Sequence, residues 1–185
     1  PIALNPIPQI TATSNSPVCS GETLMLQAQF ILNASYLWSG PGFTLGVYHP
    51  VIPNASPVLH SGTYRVAATL NGCTSDTLSL QILVKPRPQS PVIANNSPVC
   101  ISDPLATLQL SIAPSSATPN AVYTWYGSNG VTPVSVPSSN LNFSFTDFTG
   151  FAEGTYAFYA GASLDGCASP LSAPTLAVMN TIPPN

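Results

Sequence analysis

The chain has 185 residues, of which 44% are hydrophobic and 5% are charged, against about 25% charged in typical soluble domains. Three Lys and Arg residues against six Asp and Glu residues give a net charge of −3 with no basic cluster, so a nucleic-acid partner is not expected. No apolar run approaches the roughly 20 residues of a membrane helix, so membrane insertion is not expected, and 21 prolines indicate an all-β chain of short strands and turns.

Residues 1–10 alternate prolines with apolar side chains. The chain begins with Pro1 rather than Met, so we expect a processed product or an excised part of a longer protein. An apolar extended segment suits addition to an exposed sheet edge of another copy. We therefore predict a self-assembly segment, whose apolar residues are Ile2, Leu4, Ile7 and Ile10.

The first half of the chain predicts a succession of short strands. Residues 23–28 place Leu24, Leu26 and Ala28 on one face, as in a half-buried strand. No stretch has a sustained helical period. The other predicted strands are 36–38, 47–52, 63–70 and 77–84, with a loop at 54–62 and turns at 39–42 and 71–72.

The second half repeats the first. The motif SNSPVC ends at Cys19 and NNSPVC ends at Cys100, a separation of 81 residues. Later landmarks keep their order while the separation grows, which indicates insertions without rearrangement. The other matched pairs are Trp38 with Trp125, Tyr64 with Tyr156, and Cys73 with Cys167.

Alternating prolines in residues 85–91 predict a short, semi-rigid spacer between the two copies. We therefore predict an all-β fold of two tandem β-sandwich domains, 1–87 and 88–185.

The motif order resembles the immunoglobulin fold. This resemblance implies that Trp38 and Trp125 are the buried tryptophans of the third strand, and that Tyr64 and Tyr156 are tyrosine-corner residues whose hydroxyls bond backbone upstream. Antibody-type domains carry a cysteine two residues after that tyrosine. Here the position holds apolar residues in both copies, so the usual inter-sheet disulfide is replaced by an apolar pair. The residues of these pairs are Val66 with Ala28, and Phe158 with about Ile112.

The cysteine pattern more closely resembles the Ig-like repeats of Bacteroidetes surface and secreted proteins, of the gliding-adhesin and type IX secretion-associated kinds. Those repeats show C-x-G, a Trp, G-T-Y and a terminal G-C, and the second copy departs at residues 101–103. The resemblance implies a secreted protein of the bacterial cell surface. Asp76, Thr77 and Leu78 also resemble the O-glycosylation pattern of these bacteria, which makes Thr77 a predicted modification site.

Four cysteines predict disulfides and an oxidising compartment, since no cysteine or histidine spacing suits zinc. The simplest pairing is within each repeat, Cys19 with Cys73 and Cys100 with Cys167. The alternative is a bond between neighbouring repeats, because these positions lie at opposite ends of a standard sandwich, and Cα atoms more than about 7 Å apart cannot be bridged. We predict within-repeat pairing.

The sequence contains no catalytic motif and implies no cofactor or metal. His49 and His60 read as surface loop residues, and the six acids read as turn and cap residues. A calcium site would require the loops of Glu22 and Asp76, or of Asp103 and Asp165, to meet.

We therefore predict a non-catalytic extracellular module: a spacer, an adhesin stalk or a filament subunit, whose partners are other copies or neighbouring repeats. The alternative is a carbohydrate-binding module of a secreted polysaccharide-degrading enzyme, with surface glycans as partners. That alternative requires exposed, coplanar aromatic rings. The candidate rings are Tyr36, Phe43, Tyr48, Tyr123, Tyr126, Phe151 and Tyr159.

Overall fold

The structure is a computed structural model that describes residues 5–127 and 140–181. The chain divides into two compact units, Pro1–Pro86 and Arg87–Asn185, so the boundary lies one residue before the predicted one. Each unit has its own buried core.

The described part of the first unit is built from ten strands and one helical turn. They are β1 (Ala12–Ser14), β2 (Val18–Cys19), β3 (Leu24–Ala28), β4 (Ser35–Gly40), β5 (Phe43–Leu45), β6 (Val51–Ile52), α1 (Pro57–His60), β7 (Gly62–Leu70), β8 (Cys73–Thr74), β9 (Leu78–Ile82) and β10 (Val84–Lys85). One sheet has the order β1-β3-β6. The facing sheet runs β5-β4-β7, and β7 also pairs with β8 and β9. β2 pairs in parallel with β10.

The second unit repeats this plan. Its described elements are β11 (Ile93–Asn95), β12 (Val99–Cys100), β13 (Leu108–Ile112), a 3-10 turn (Pro114–Ser116), β14 (Val122–Gly127), β15 (Asn142–Phe145), β16 (Gly154–Leu164), β17 (Cys167–Ala168) and β18 (Thr175–Asn180). One sheet has the order β11-β13-β15, and the other has the order β12-β18-β16-β14 with β17 on β16. As in the first unit, the pairing of β12 with the last strand is parallel.

The alternation predicted for residues 23–28 is observed. Leu24, Leu26 and Ala28 of β3 are buried, whereas Met25 and Gln27 face solvent. The period of two along an extended strand sends alternate side chains to opposite faces, and only one face meets the core. β13 follows the same pattern with Leu108, Leu110 and Ile112 buried.

Residues 43–60 differ most from the prediction. β5 was not predicted, and the strand predicted at 47–52 is reduced to Val51–Ile52. Pro50 has no N–H to donate, yet its carbonyl accepts from Leu26 N at 3.0 Å, so pairing with β3 extends beyond the short strand. The predicted loop 54–62 contains α1, and this four-residue turn is the longest helix among the described residues, far short of a membrane span.

Candidate functional site

The SNSPVC motif of the first unit contacts β3 on one side and the segment that precedes β10 on the other. Asn15 accepts from Met25 N at 2.8 Å and donates to Thr23 O at 3.0 Å, so its side chain holds the chain against β3. Ser16 Oγ accepts from Leu83 N at 2.9 Å on the opposite side, beside β10. The motif therefore fixes where its cysteine lies.

The second copy makes the same contacts. Asn96 accepts from Gln109 N at 2.8 Å and donates to Thr107 O at 3.0 Å. Ser97 Oγ accepts from Val178 N at 2.6 Å. The repeated Asn and Ser thus have one structural role in both units, which explains why the sequence contains the motif twice.

These contacts place the motif cysteine at what we call the exit end of each unit, where its last strand ends. Cys19 is in register with Lys85, the last residue of β10, and Ser20 N donates to Lys85 O at 2.8 Å. Cys100 is in register with Asn180, the last residue of β18.

The other two cysteines lie at the opposite end of each unit, which we call the entry end. Cys73 follows a two-residue hairpin in which Asn71 and Gly72 have φ of 50° and 80°, so both residues adopt the positive φ that such a turn requires. The side chain of Asn5, near the start of the unit, donates to Asn71 O at 3.3 Å. Cys167 follows the corresponding Asp165 hairpin.

The predicted within-repeat disulfides are wrong. Each repeat has one disulfide-bonded cysteine, Cys19 or Cys167, and one free thiol, Cys73 or Cys100, so neither within-repeat bond is present. The physical reason lies inside each unit. β7 and β16 run from the exit end to the entry end over 9 and 11 residues, so they separate the two cysteines of one repeat by about 30 and 36 Å at about 3.3 Å per residue. This is far beyond the reach of a disulfide.

The predicted tyrosine corner is present in the first unit. Tyr64 is fully buried, and its hydroxyl donates to His60 O at 3.0 Å, four residues upstream. Burial raises the pKa of Tyr64 above its ordinary value of 10.0. Tyr156 makes the equivalent bond to Ala152 O at 2.9 Å, although its ring is only half-buried.

The second unit has a register difference that the sequence alignment conceals. Trp38 pairs with Val66, two residues after the corner tyrosine, but Trp125 pairs with Ala160, four residues after Tyr156. β16 is two residues longer than β7, so Phe158, and not Tyr156, occupies the position equivalent to Tyr64. Because side chains alternate with a period of two along a strand, a shift of two residues leaves each side chain on the same face of the sheet. Both cores therefore remain apolar.

We expect Tyr64→Phe to lower the free energy of unfolding by about 1 kcal/mol at neutral pH, the net value of one hydrogen bond. Because the pKa of Tyr64 is higher in the folded state, the unfolded chain loses this proton more readily as pH rises past 10.0, so the wild type loses stability there and the variant loses less. Urea denaturation at pH 7 and at alkaline pH, with the free thiols alkylated, measures both effects. Tyr156→Phe, which removes the corresponding hydroxyl of the second unit, is the control. Equal alkaline loss in the wild type and Tyr64→Phe would contradict the assignment.

Most aromatic side chains are used in packing. Of the described aromatic side chains, which do not include that of Phe43, only Phe30 is exposed, at 60%. Its ring meets Tyr48 edge-on, with centroids 5.2 Å apart and planes at 66°. Among the candidate rings Tyr36 and Tyr123 are buried, and Tyr48, Tyr126, Phe151 and Tyr159 are half-buried. The described rings thus form no exposed coplanar platform.

The polar residues have local structural roles. His60 Nδ1 accepts from Ser56 N at 2.9 Å and so closes α1, whereas His49 is exposed. The N–H of Thr149, which donates to Asp147 Oδ1 at 3.0 Å, holds the pKa of that carboxyl below its ordinary value. All six acids are exposed. Within residues 5–127 and 140–181, no three His, Cys, Asp or Glu residues gather as a metal site would require.

The remaining predicted site residues lie apart from one another. Thr77 is exposed in the connection between β8 and β9. Ile10 packs against the core of its own unit, which limits the predicted self-assembly segment to the residues before it. Ile7 is 59% exposed, and Ile2 and Leu4 lie outside the described residues.

Solved structures with this architecture are immunoglobulin-like. The chain superposes on murine CEACAM1b with a TM-score of 0.50 and 13% identity, covering 92% of this chain and all of that one. The structure of a mouse coronavirus receptor-binding domain complexed with its murine receptor gives a TM-score of 0.52 at 10% identity. The match covers 94% of this chain and 100% of that one. Titin domains A168–A170 give a TM-score of 0.50 at 12% identity. The match covers 91% of this chain and 65% of the titin chain. No family model and no curated protein matches the chain. The fold is thus two immunoglobulin-like β-sandwiches in tandem.

Proposed function

We propose that this chain is a non-catalytic structural and adhesive module, a pair of tandem repeats that acts as a spacer or stalk of an extracellular bacterial surface protein. The observation that carries the proposal is the use of the same residues twice for the same structural purpose. The motif side chains of Asn15 and Ser16 recur as Asn96 and Ser97 with the same backbone partners, and they hold the fold together.

The cysteine chemistry supports a location outside the cytoplasm. Disulfides persist in oxidising compartments and are rare where glutathione keeps thiols reduced, and Cys19 and Cys167 are disulfide-bonded. The bacterial surface itself rests on the resemblance of the cysteine, Trp and G-T-Y pattern to Bacteroidetes repeats. Thr77, being exposed, remains a proposed glycosylation site, and the segment before Ile10 remains a proposed self-assembly segment.

The low charge also suits an exposed structural part. Lys85 and Arg87 each precede a proline, which blocks trypsin-type cleavage, and the remaining basic residue, Arg65, lies within β7. Backbone that is hydrogen-bonded in a central strand resists proteases, because cleavage requires local unfolding.

A glycan array with the 185-residue chain tests the proposal. We expect no glycan to bind above background, because the described rings pack edge-on rather than forming a flat surface for a sugar. The matched variant is Phe30→Ala, which removes the most exposed ring next to Tyr48. Glycan binding by the wild type that is lost in Phe30→Ala would overturn the proposal in favour of the carbohydrate-binding alternative. Binding that survives in the variant would equally show that the chain is more than a spacer.

A further inference from the structure

The four cysteines follow one rule in both units. Each repeat carries one cysteine at its exit end, Cys19 or Cys100, beside the last residue of its last strand. Each also carries one at its entry end, Cys73 or Cys167, after the hairpin that closes its longest strand. The two cysteines of one repeat are too far apart to bond, so each must find its partner in another repeat or have none.

One exit-end cysteine and one entry-end cysteine are disulfide-bonded, and one cysteine of each kind is free. The disulfide-bonded cysteines are the exit-end cysteine of the first repeat, Cys19, and the entry-end cysteine of the second, Cys167. The free thiols are the exit-end cysteine of the second repeat, Cys100, and the entry-end cysteine of the first, Cys73. The two free thiols are thus equivalent, position for position, to the two that are bonded.

We propose that Cys100 and Cys73 are the two halves of an intermolecular, head-to-tail disulfide, in which the exit-end Cys100 of one copy bonds to the entry-end Cys73 of the next. The partner is therefore another repeat of the same kind, which is represented experimentally by a second copy of this chain. This inference deepens the proposed function, on which it rests, by naming the covalent link that would join successive modules of a stalk.

The surroundings of both thiols suit such a bond. Cys100 is exposed to solvent, and Cys73 is half-buried, with its Sγ donating to Asn5 O at 3.5 Å. The side chain of Asn5 also holds the hairpin through Asn71 O. The two thiols occupy different positions in their units, so the link is heterologous: each copy can form one bond through Cys100 and another through Cys73, and more than two copies can be joined.

The chemistry is thiol–disulfide exchange with a small-molecule disulfide such as oxidised glutathione as the oxidant. The thiolate of one cysteine attacks the oxidant, and one glutathione thiolate leaves. The thiolate of the other cysteine then attacks the mixed disulfide, and the second glutathione thiolate leaves. Two protein thiols lose two protons and two electrons in total, and one glutathione disulfide becomes two thiols.

Complementary variants test the pairing. The full chain is prepared as wild type, Cys73→Ser and Cys100→Ser, incubated with oxidised glutathione, denatured with a thiol-blocking reagent and separated without reduction. We expect the wild type to form a ladder of multimers and each single variant to remain monomeric. An equimolar mixture of the two variants is expected to form a covalent dimer that reduction abolishes. Both substitutions change free thiols and leave the disulfide-bonded Cys19 and Cys167 in place, so we expect the fold to be retained, which circular dichroism checks.

Two results would overturn the proposal. One is a mixture that stays monomeric. The other is dimer in either single variant to the same extent as in the mixture, because symmetric Cys100–Cys100 or Cys73–Cys73 bonds would then explain it. Peptic mapping of the mixed dimer must yield a Cys73–Cys100 peptide. A failure here leaves the non-catalytic function standing, whereas glycan binding on the array would overturn that function without affecting this result.

Discussion

Trp38→Ala is expected to lower the free energy of unfolding of the first unit by about 3–5 kcal/mol, the usual cost of deleting a large buried aromatic side chain. Trp38 is fully buried, and it packs among the core residues of its own unit. The loss exceeds that expected of the other variants for two reasons. The variant loses the free energy gained by burying the ring away from water, and the cavity left behind destabilises the folded state further. We expect the first unit to unfold at a lower denaturant concentration.

The second tryptophan provides a matched control and a readout. The chain has two tryptophans, one in each core, so the fluorescence of Trp38→Ala reports only on Trp125 and the second unit. Far-ultraviolet circular dichroism should show an earlier transition in this variant, while the fluorescence transition stays in place. Trp125→Ala should give the reverse. A fluorescence transition that moves together with the circular dichroism would show that the two cores do not unfold independently.

A milder substitution separates the ring from its polar atom. Neither Trp38 Nε1 nor Trp125 Nε1 has a hydrogen-bond partner among the described residues, although both are buried. A buried unpaired donor costs about 1–3 kcal/mol. Trp38→Phe therefore deletes part of the ring but also removes this cost, and it should destabilise the first unit far less than Trp38→Ala.

Gly40→Ala is expected to destabilise the first unit by about 1–3 kcal/mol, the range for overpacking a filled core. A Cβ at Gly40 would lie 2.5 Å from Cδ1 and 2.7 Å from Cε1 of Tyr64, closer than carbon atoms approach one another. The Tyr64 ring is fully buried and its hydroxyl is bonded to His60 O, so it cannot move away without breaking that bond. Urea denaturation followed by circular dichroism measures the change.

The repeat supplies the control for this prediction as well. Gly127 occupies the equivalent position of β14, but there the nearest atom to an added Cβ is Phe158 Cε1 at 3.4 Å, an ordinary contact. Gly127→Ala should therefore leave stability unchanged or raise it slightly, because alanine reduces the freedom of the unfolded chain. Adding Tyr64→Leu to Gly40→Ala should cost less than the sum of the two changes, since the clash is then relieved. Equal losses at the two glycines would refute the steric explanation.

The strands were predicted best where one face of the strand meets a core. Leu24, Leu26 and Ala28 alternate with solvent-facing residues, and the period of two follows from the backbone alone. β5 and the shortened β6 were predicted poorly, because their pairing depends on which strand lies beside them. Pro50 illustrates this dependence: its carbonyl accepts a hydrogen bond from Leu26 N of β3, although the proline has no N–H to donate to a neighbouring strand.

The candidate site was predicted in part. The sequence identified all four cysteines, and it identified Tyr64 as the corner residue whose hydroxyl bonds backbone upstream. It did not show that Phe158, rather than Tyr156, is the counterpart of Tyr64 in the second core. The available signal was the separation of the two copies, which is 92 residues at the G-T-Y motif and 94 at the following cysteine. That difference of two residues is the extra length of β16.

By itself, the sequence determined the two copies, their all-β character and the turns that end their strands. These properties depend on local chemistry: proline and glycine dihedrals, alternation of side chains, and the positive φ that Asn71 and Gly72 adopt. Only the tertiary structure decided which cysteines bond. Each sandwich places its two cysteines at opposite ends of a strand about 30 to 36 Å long, and no local sequence pattern determines that distance. The tertiary structure thus excluded the within-repeat bonds: Cys19 and Cys167 are disulfide-bonded, and Cys73 and Cys100 are free thiols.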